Sequence, residues 1–77
     1  MENEIIDVIA ENLKYEMTDK SYSQKELASE ARISESILSR CLQKKSLISL
    51  PNLIRVCRAL DLTLDEICPI DAFSYIK

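Results

Sequence analysis

Apolar residues recur along the chain at steps of three and four. Ile6, Ile9, Ala10, Leu13 and Met17 share one face of a helix over roughly residues 3–18, whose other face is acidic. Thr18 to Tyr22 is polar and irregular. Ser23-Gln24-Lys25-Glu26 then supplies a capping box, in which the serine hydroxyl takes an orphan N–H and the glutamate reaches back, so a second helix starts at Gln24. Leu27, Ala28 and Ala31 mark its apolar face before Arg32-Ile33 interrupts the pattern. Ser34 caps a third helix running to about Gln43, with Leu38, Cys41 and Leu42 inward and Glu35, Ser36, Ser39 and Arg40 on the polar side. Two short helices joined by so few residues must cross steeply.

Lys44 to Ile48 reads as a loop. Ser49 caps a fourth helix with Pro51 in its first turn, where a missing N–H costs nothing, and Leu50, Leu53, Ile54, Cys57 and Leu60 form its expected buried stripe. Thr63-Leu64-Asp65-Glu66 is a second capping box, opening a brief fifth helix that should carry Leu64 and Ile67 inward and stop before Pro69. The pattern predicts an all-α, five-helix architecture with no internal repeat.

Composition narrows this further. Seventy-seven residues suffice for one domain spanning 1–77, and the absence of glycine, with only two prolines, disfavours a turn-rich β fold. No stretch approaches the roughly 20 apolar residues of a membrane span, and the acidic start Met1-Glu2-Asn3-Glu4 lacks the basic flank of a signal peptide, so a cytoplasmic protein is expected. Cys41, Cys57 and Cys68 are widely spaced and no histidine is present; no metal or cofactor is expected, and the cysteines read as small core hydrophobes. With no histidine, no glycine-rich phosphate loop and no evident carboxylate pair, nothing looks catalytic or points to a small-molecule ligand.

The net charge of −3 is unevenly spread. Residues 1–19 carry six acids against one base, whereas residues 20–46 carry six bases against three acids, so positive charge concentrates in the middle segment.

The strings Gln24-Lys25-Glu26-Leu27-Ala28, Ile33-Ser34 with Leu38-Ser39-Arg40, Leu50 to Leu60 and Thr63-Leu64-Asp65-Glu66-Ile67 together resemble the Cro/C1-type (lambda-repressor-like, XRE) helix-turn-helix family of phage and bacterial repressors. The resemblance implies a five-helix domain over 13–67, with the helix-turn-helix at 24–43 formed by helices 2 and 3. Four departures stand out. The family usually has glycine at the positions of Ser21, Arg32 and Lys44, so strained or reshaped turns are expected there. It also often buries an arginine of the first helix against a glutamate ending the third, where this chain has Met17 and Leu42. Replacing both partners of such a pair by apolar residues leaves no uncompensated charge, so the core is expected to stay intact.

What the resemblance implies is a sequence-specific DNA-binding transcriptional regulator, a repressor, acting on double-stranded DNA. Its second helix would set its N-terminus, with Gln24, against a phosphate, and its third would enter the major groove with Ser34, Glu35, Ser36, Ser39 and Arg40. The Arg40 fork suits guanine O6 and N7, Glu35 can accept from a cytosine amino group, and Lys44 and Lys45 would clamp the backbone. The competing readings are serines that only cap helices and lysines of a solvated loop. One module buries only about 600–1,000 Å² on DNA, so a homodimer on a two-fold symmetric operator is expected, with the tail 68–77 as its seam or as a cap over the first helix. The rival function is a protein-interaction module on the same fold (antirepressor, antitoxin or assembly partner), favoured by overall acidity and Glu35.

Overall fold

The computed structural model describes residues 4–69. Among them are five helices and no strand: α1 (Glu4–Asp19), α2 (Gln24–Ala31), α3 (Glu35–Leu42), α4 (Leu50–Leu60) and α5 (Leu64–Ile67). Helix starts fall where the capping residues put them. Ser23, Ser34, Ser49 and Thr63 each adopt extended backbone and accept from the N–H three residues on, and Ser23–Glu26 and Thr63–Glu66 close as full capping boxes.

One core joins the elements. α2 packs on α4 and α3, while α1 packs on α3 and α5. Ile9, Leu13 and Met17 of α1 meet Leu27, Ala28 and Ala31 of α2, Leu38, Cys41 and Leu42 of α3, and Leu53, Val56, Cys57 and Leu60 of α4, with Ile67 of α5 closing the cluster. Asn12 Nδ2 donates to the Ile67 carbonyl at 2.8 Å, satisfying an acceptor at the end of α5 from α1. Met17 and Leu42 are both buried in this cluster, consistent with an apolar substitute for a charged pair. The cysteines are free; Cys41 and Cys57 are buried and Cys68 is half-buried, and burial pushes all three thiols up.

Three expected core positions fall outside it. Leu50, Ile54 and Leu64 are 58%, 43% and 39% exposed, whereas Val56 and the loop residue Ile48 are buried. The face of α4 that its neighbours cover is the i, i+3, i+4, i+7 set of Leu53, Val56, Cys57 and Leu60. Leu50 precedes that set, and Ile54 lies about one residue's rotation off its centre.

The glycine-less turns are not reshaped. Ser21, Arg32 and Lys44 hold φ of 60°, 59° and 62°, and Asp61 adds a fourth left-handed residue at 59°. Each ends a helix in the same two-bond arrangement. The left-handed residue's own N–H donates three residues back, and the next N–H donates five back: Tyr22 to Met17 (2.8 Å), Ile33 to Ala28 (3.0 Å), Lys45 to Arg40 (2.9 Å) and Leu62 to Cys57 (2.8 Å). Tyr22, Ile33 and Leu62 then pack against the core, which offsets the backbone strain at three of the four sites.

Candidate nucleic-acid interface

The N-terminus of α2 is half-satisfied from within. Ser23 Oγ accepts from the Glu26 N–H at 3.1 Å, and Glu26 Oε1 accepts from the Ser23 N–H at 2.9 Å. The Ser23 backbone N–H, and after it the Ser23 side chain, hold the Glu26 carboxyl below the usual carboxylate range. The backbone N–H groups of Gln24 and Lys25, the first two of the helix, find no acceptor among the described residues, so they and the helix dipole remain available to an outside anion. Gln24 itself is half-buried and Lys25 exposed.

α3 begins at Ser34, whose Oγ accepts from the Ile37 N–H at 3.1 Å; its hydroxyl is a cap first and keeps only its own O–H to donate outward. Glu35 and Ser36 follow in the exposed first turn. Along the outward face, Ser36, Arg40 and Gln43 are exposed, and Ser39 is half-buried. The inward face of the same helix, Leu38, Cys41 and Leu42, is fixed in the core, so the polar face cannot rotate away from solvent. Arg40 makes no ion pair among the described residues, leaving its planar fork unengaged. Gln43 was not among the residues expected from sequence. It lies one turn beyond Ser39 and donates Nε2 to Ser39 Oγ at 2.9 Å, which aims its amide along the helix face. The same periodicity that marked Ser36, Ser39 and Arg40 extends to it.

The two lysines after α3 part company. Lys45 is exposed with no carboxylate partner among the described residues. Lys44, held left-handed, sets its Nζ 2.7 Å from Glu11 Oε2 on α1. That hydrogen bond lowers the Glu11 carboxyl and raises the Lys44 ammonium. The cation expected to clamp a backbone phosphate is therefore already engaged within the chain.

The assembled surface is a short helix bearing hydroxyl, amide and guanidinium groups, packed against a second helix whose first N–H groups are open. Such a face can hydrogen-bond base edges while an adjacent dipole holds a phosphate. It offers no ligand set for a metal: among the described residues, no three acidic or cysteine side chains cluster. No helix among them is long and apolar enough to cross a membrane.

Comparison with known proteins bears on this arrangement. The family model of the Cro/C1-type helix-turn-helix DNA-binding domain matches residues 12–72. Among solved structures, the chain is similar to a hypothetical transcription factor, NHTF, from Neisseria, at 23% identity and a TM-score of 0.79, over 94% of this chain and 85% of that one. It is also similar to the clp gene regulator ClgR from C. glutamicum, at 25% identity and a TM-score of 0.76, over 95% of this chain and 94% of the other. No curated protein sequence matches it.

Proposed function

The chain belongs to the Cro/C1-type helix-turn-helix DNA-binding family, and from that premise we propose that it is a sequence-specific transcriptional repressor that binds a two-fold symmetric operator as a homodimer in the cytoplasm. The observation that carries the reading is the outward face of α3: Ser36, Ser39 and Arg40, continued by Gln43 at the C-cap, are presented on a helix whose other side is locked in the core. In this reading α3 lies in the major groove and Arg40 reads a guanine, while Ser34, Glu35 and Ser36 lie over neighbouring base pairs. The N–H groups at the start of α2, with Gln24, hold one phosphate and Lys45 another, whereas Lys44 contributes less because Glu11 neutralises it. That the ClgR neighbour is described as a gene regulator supports the regulatory half of the reading.

Selection of bound sequences from random duplexes, at two salt concentrations, tests it. A single enriched motif whose affinity falls with salt is expected, and Arg40→Ala should cost about 1–3 kcal/mol and relax one base position. Enrichment of no motif at low salt would favour the protein-interaction reading, to which the net charge of −3 and the diversion of Lys44 by Glu11 lend support.

For the dimer, two seams compete. Residues 70–77 of the proposed tail seam lie outside the described residues. The second is the exposed apolar trio Leu47, Leu50 and Ile54, of which Leu50 and Ile54 stand one turn apart on α4. Light scattering on a chain lacking residues 70–77 and on Leu50→Lys/Ile54→Lys separates them, since only loss of the true seam yields a monomer.

A further inference from the structure

A groove of about 580 Å³ opens between the end of α2 and the second half of α4, lined by Glu30, Ala31, Arg32, Arg55, Arg58 and Ala59. Three cations and one acid around one groove leave a local excess of positive charge in a chain whose net charge is −3. Of the described cations elsewhere, Lys14, Lys20 and Lys44 stand 3.9, 3.8 and 2.7 Å from carboxylate oxygens of α1, while Lys25, Arg40 and Lys45 join no such pair and are not gathered around one groove. None of the three groove arginines makes an ion pair among the described residues. Helix C-termini favour nearby cations, which accounts for Arg32 and Arg58 but not for Arg55 in the middle of α4. Arg55 is instead oriented: its Nη1 donates to Asn52 Oδ1 at 2.9 Å, leaving its remaining N–H donors unused.

We propose that this groove binds an acidic segment of a partner protein, independently of the DNA-facing surface. Arg55 and Arg58 lie one turn apart on α4, and Arg32 faces them from the left-handed end of α2. Planar guanidinium forks match carboxylates two bonds at a time. Ala31 and Ala59 give the groove no large apolar wall for a hydrophobic ligand, but let an extended chain approach closely. Glu30 decides between acidic polymers. It repels any polyanion, most strongly a nucleic-acid backbone with a charge about every 1.7 Å, whereas an acidic polypeptide carries its charges more sparsely and brings N–H donors that the carboxylate, or the amide of Glu30→Gln, can accept. No residue of α3 lines the groove, so the acidic partner would share no side chain with the α3 face proposed to meet DNA.

The test uses the full chain and a fluorescein-labelled peptide of alternating glutamate and glycine, followed by anisotropy at low salt. Saturable, salt-sensitive binding is expected, weakened about tenfold or more by Arg55→Gln/Arg58→Gln. Glu30→Gln should tighten it, because removing the one acid removes repulsion; circular dichroism melts check that both variants fold. The operator duplex found by selection, or a random duplex if none is found, should leave the peptide bound. Four results overturn the proposal: no saturable peptide binding, equal affinity in the folded arginine variant, displacement of the peptide by duplex, or displacement by inorganic phosphate at matched ionic strength. The last two assign the groove to nucleic acid or to a small anion. Because the peptide readout needs no DNA, its failure and a failure of the repressor reading are seen separately.

Discussion

Lys44 Nζ and Glu11 Oε2 lie 2.7 Å apart, joining the turn after α3 to the acidic face of α1. Lys14 lies 3.9 Å from the same carboxylate oxygen, so Glu11 is shared between a neighbour on its own helix and a partner across the fold. Both ends of the Lys44 pair are substantially exposed, and such pairs add little to stability. Its consequence lies in charge: the cation that follows α3 is already paired with a carboxylate of the same chain, which, if α3 meets DNA as proposed, weakens its pull on a phosphate.

Glu11→Gln should therefore strengthen DNA binding and steepen its salt dependence by about one released counterion. Lys45→Gln should weaken binding more than Lys44→Gln does. A double-mutant cycle by anisotropy discriminates the cause, since in a Lys44→Gln background Glu11→Gln should no longer change the salt slope. An unchanged slope in the single variant removes Lys44 from any latent phosphate contact.

The helix starts and the polar face of α3 were legible in the sequence because they rest on local chemistry. A serine three residues before a glutamate specifies its own capping box wherever the helix packs. The Glu11–Lys44 bond was not legible, since it spans two elements whose approach depends on the whole fold. Leu50, Ile54 and Leu64 read as core because periodicity tells which residues share a face, but not how wide a face the neighbours cover. Ile48 was lost for the opposite reason: a single apolar residue in a loop has no period to betray it. The turns at Ser21, Arg32 and Lys44 keep the left-handed geometry that glycine would allow, because the apolar residue after Ser21 and Arg32 packs on the core and the paired backbone bonds form at all three.

Those left-handed residues are places where stability can be gained. Ser21 is exposed at φ 60°, and Ser21→Gly should raise stability by about 0.5–1 kcal/mol, the difference between relieved strain and the extra entropy of an unfolded glycine. That corresponds to a melting-temperature rise of about 2–8 °C for a domain this small. Asp61→Gly should gain less, because aspartate tolerates the left-handed region better than serine. Ser21→Ala, which keeps a Cβ, should gain nothing; equal gains from alanine and glycine would show that backbone strain is not the source.

Acid should weaken the fold through the capping boxes. The Glu26 and Glu66 carboxyls are held below the usual range chiefly by the backbone N–H groups of Ser23 and Thr63, and Glu11 by Lys44. A depressed carboxylate stabilises the folded state above its unfolded pKa, and that contribution is lost as pH falls through the lower, folded value. Melting temperature should thus be level around neutrality and begin to drop as pH approaches the ordinary glutamate range. Lys44, raised by Glu11, acts in the other direction: its contribution is present below the ordinary lysine range and lost as pH climbs through the raised value. Glu26→Gln/Glu66→Gln keeps amide acceptors for both boxes without a titrating proton, so it should flatten the acid limb of the melting curve. A limb as steep as that of the unaltered chain would place the acid sensitivity elsewhere.

Met17 and Leu42 set a sharper test of how the core replaces a charged pair. Both are buried in one cluster, 7% and 4% exposed, at the positions where the resemblance to the Cro/C1-type family implies an arginine and a glutamate. Leu42→Glu alone places a carboxylate among apolar neighbours and should cost about 3–5 kcal/mol, a large part of the stability of a domain this size. Met17→Arg alone should cost less, because a long guanidinium stem can carry its charge toward solvent. Combining them restores the pair, so the double variant should recover much of the loss seen in Leu42→Glu. Urea unfolding of the four proteins measures the coupling directly. If the two costs simply add, the side chains do not meet, and the intact core must be explained by packing at each site separately.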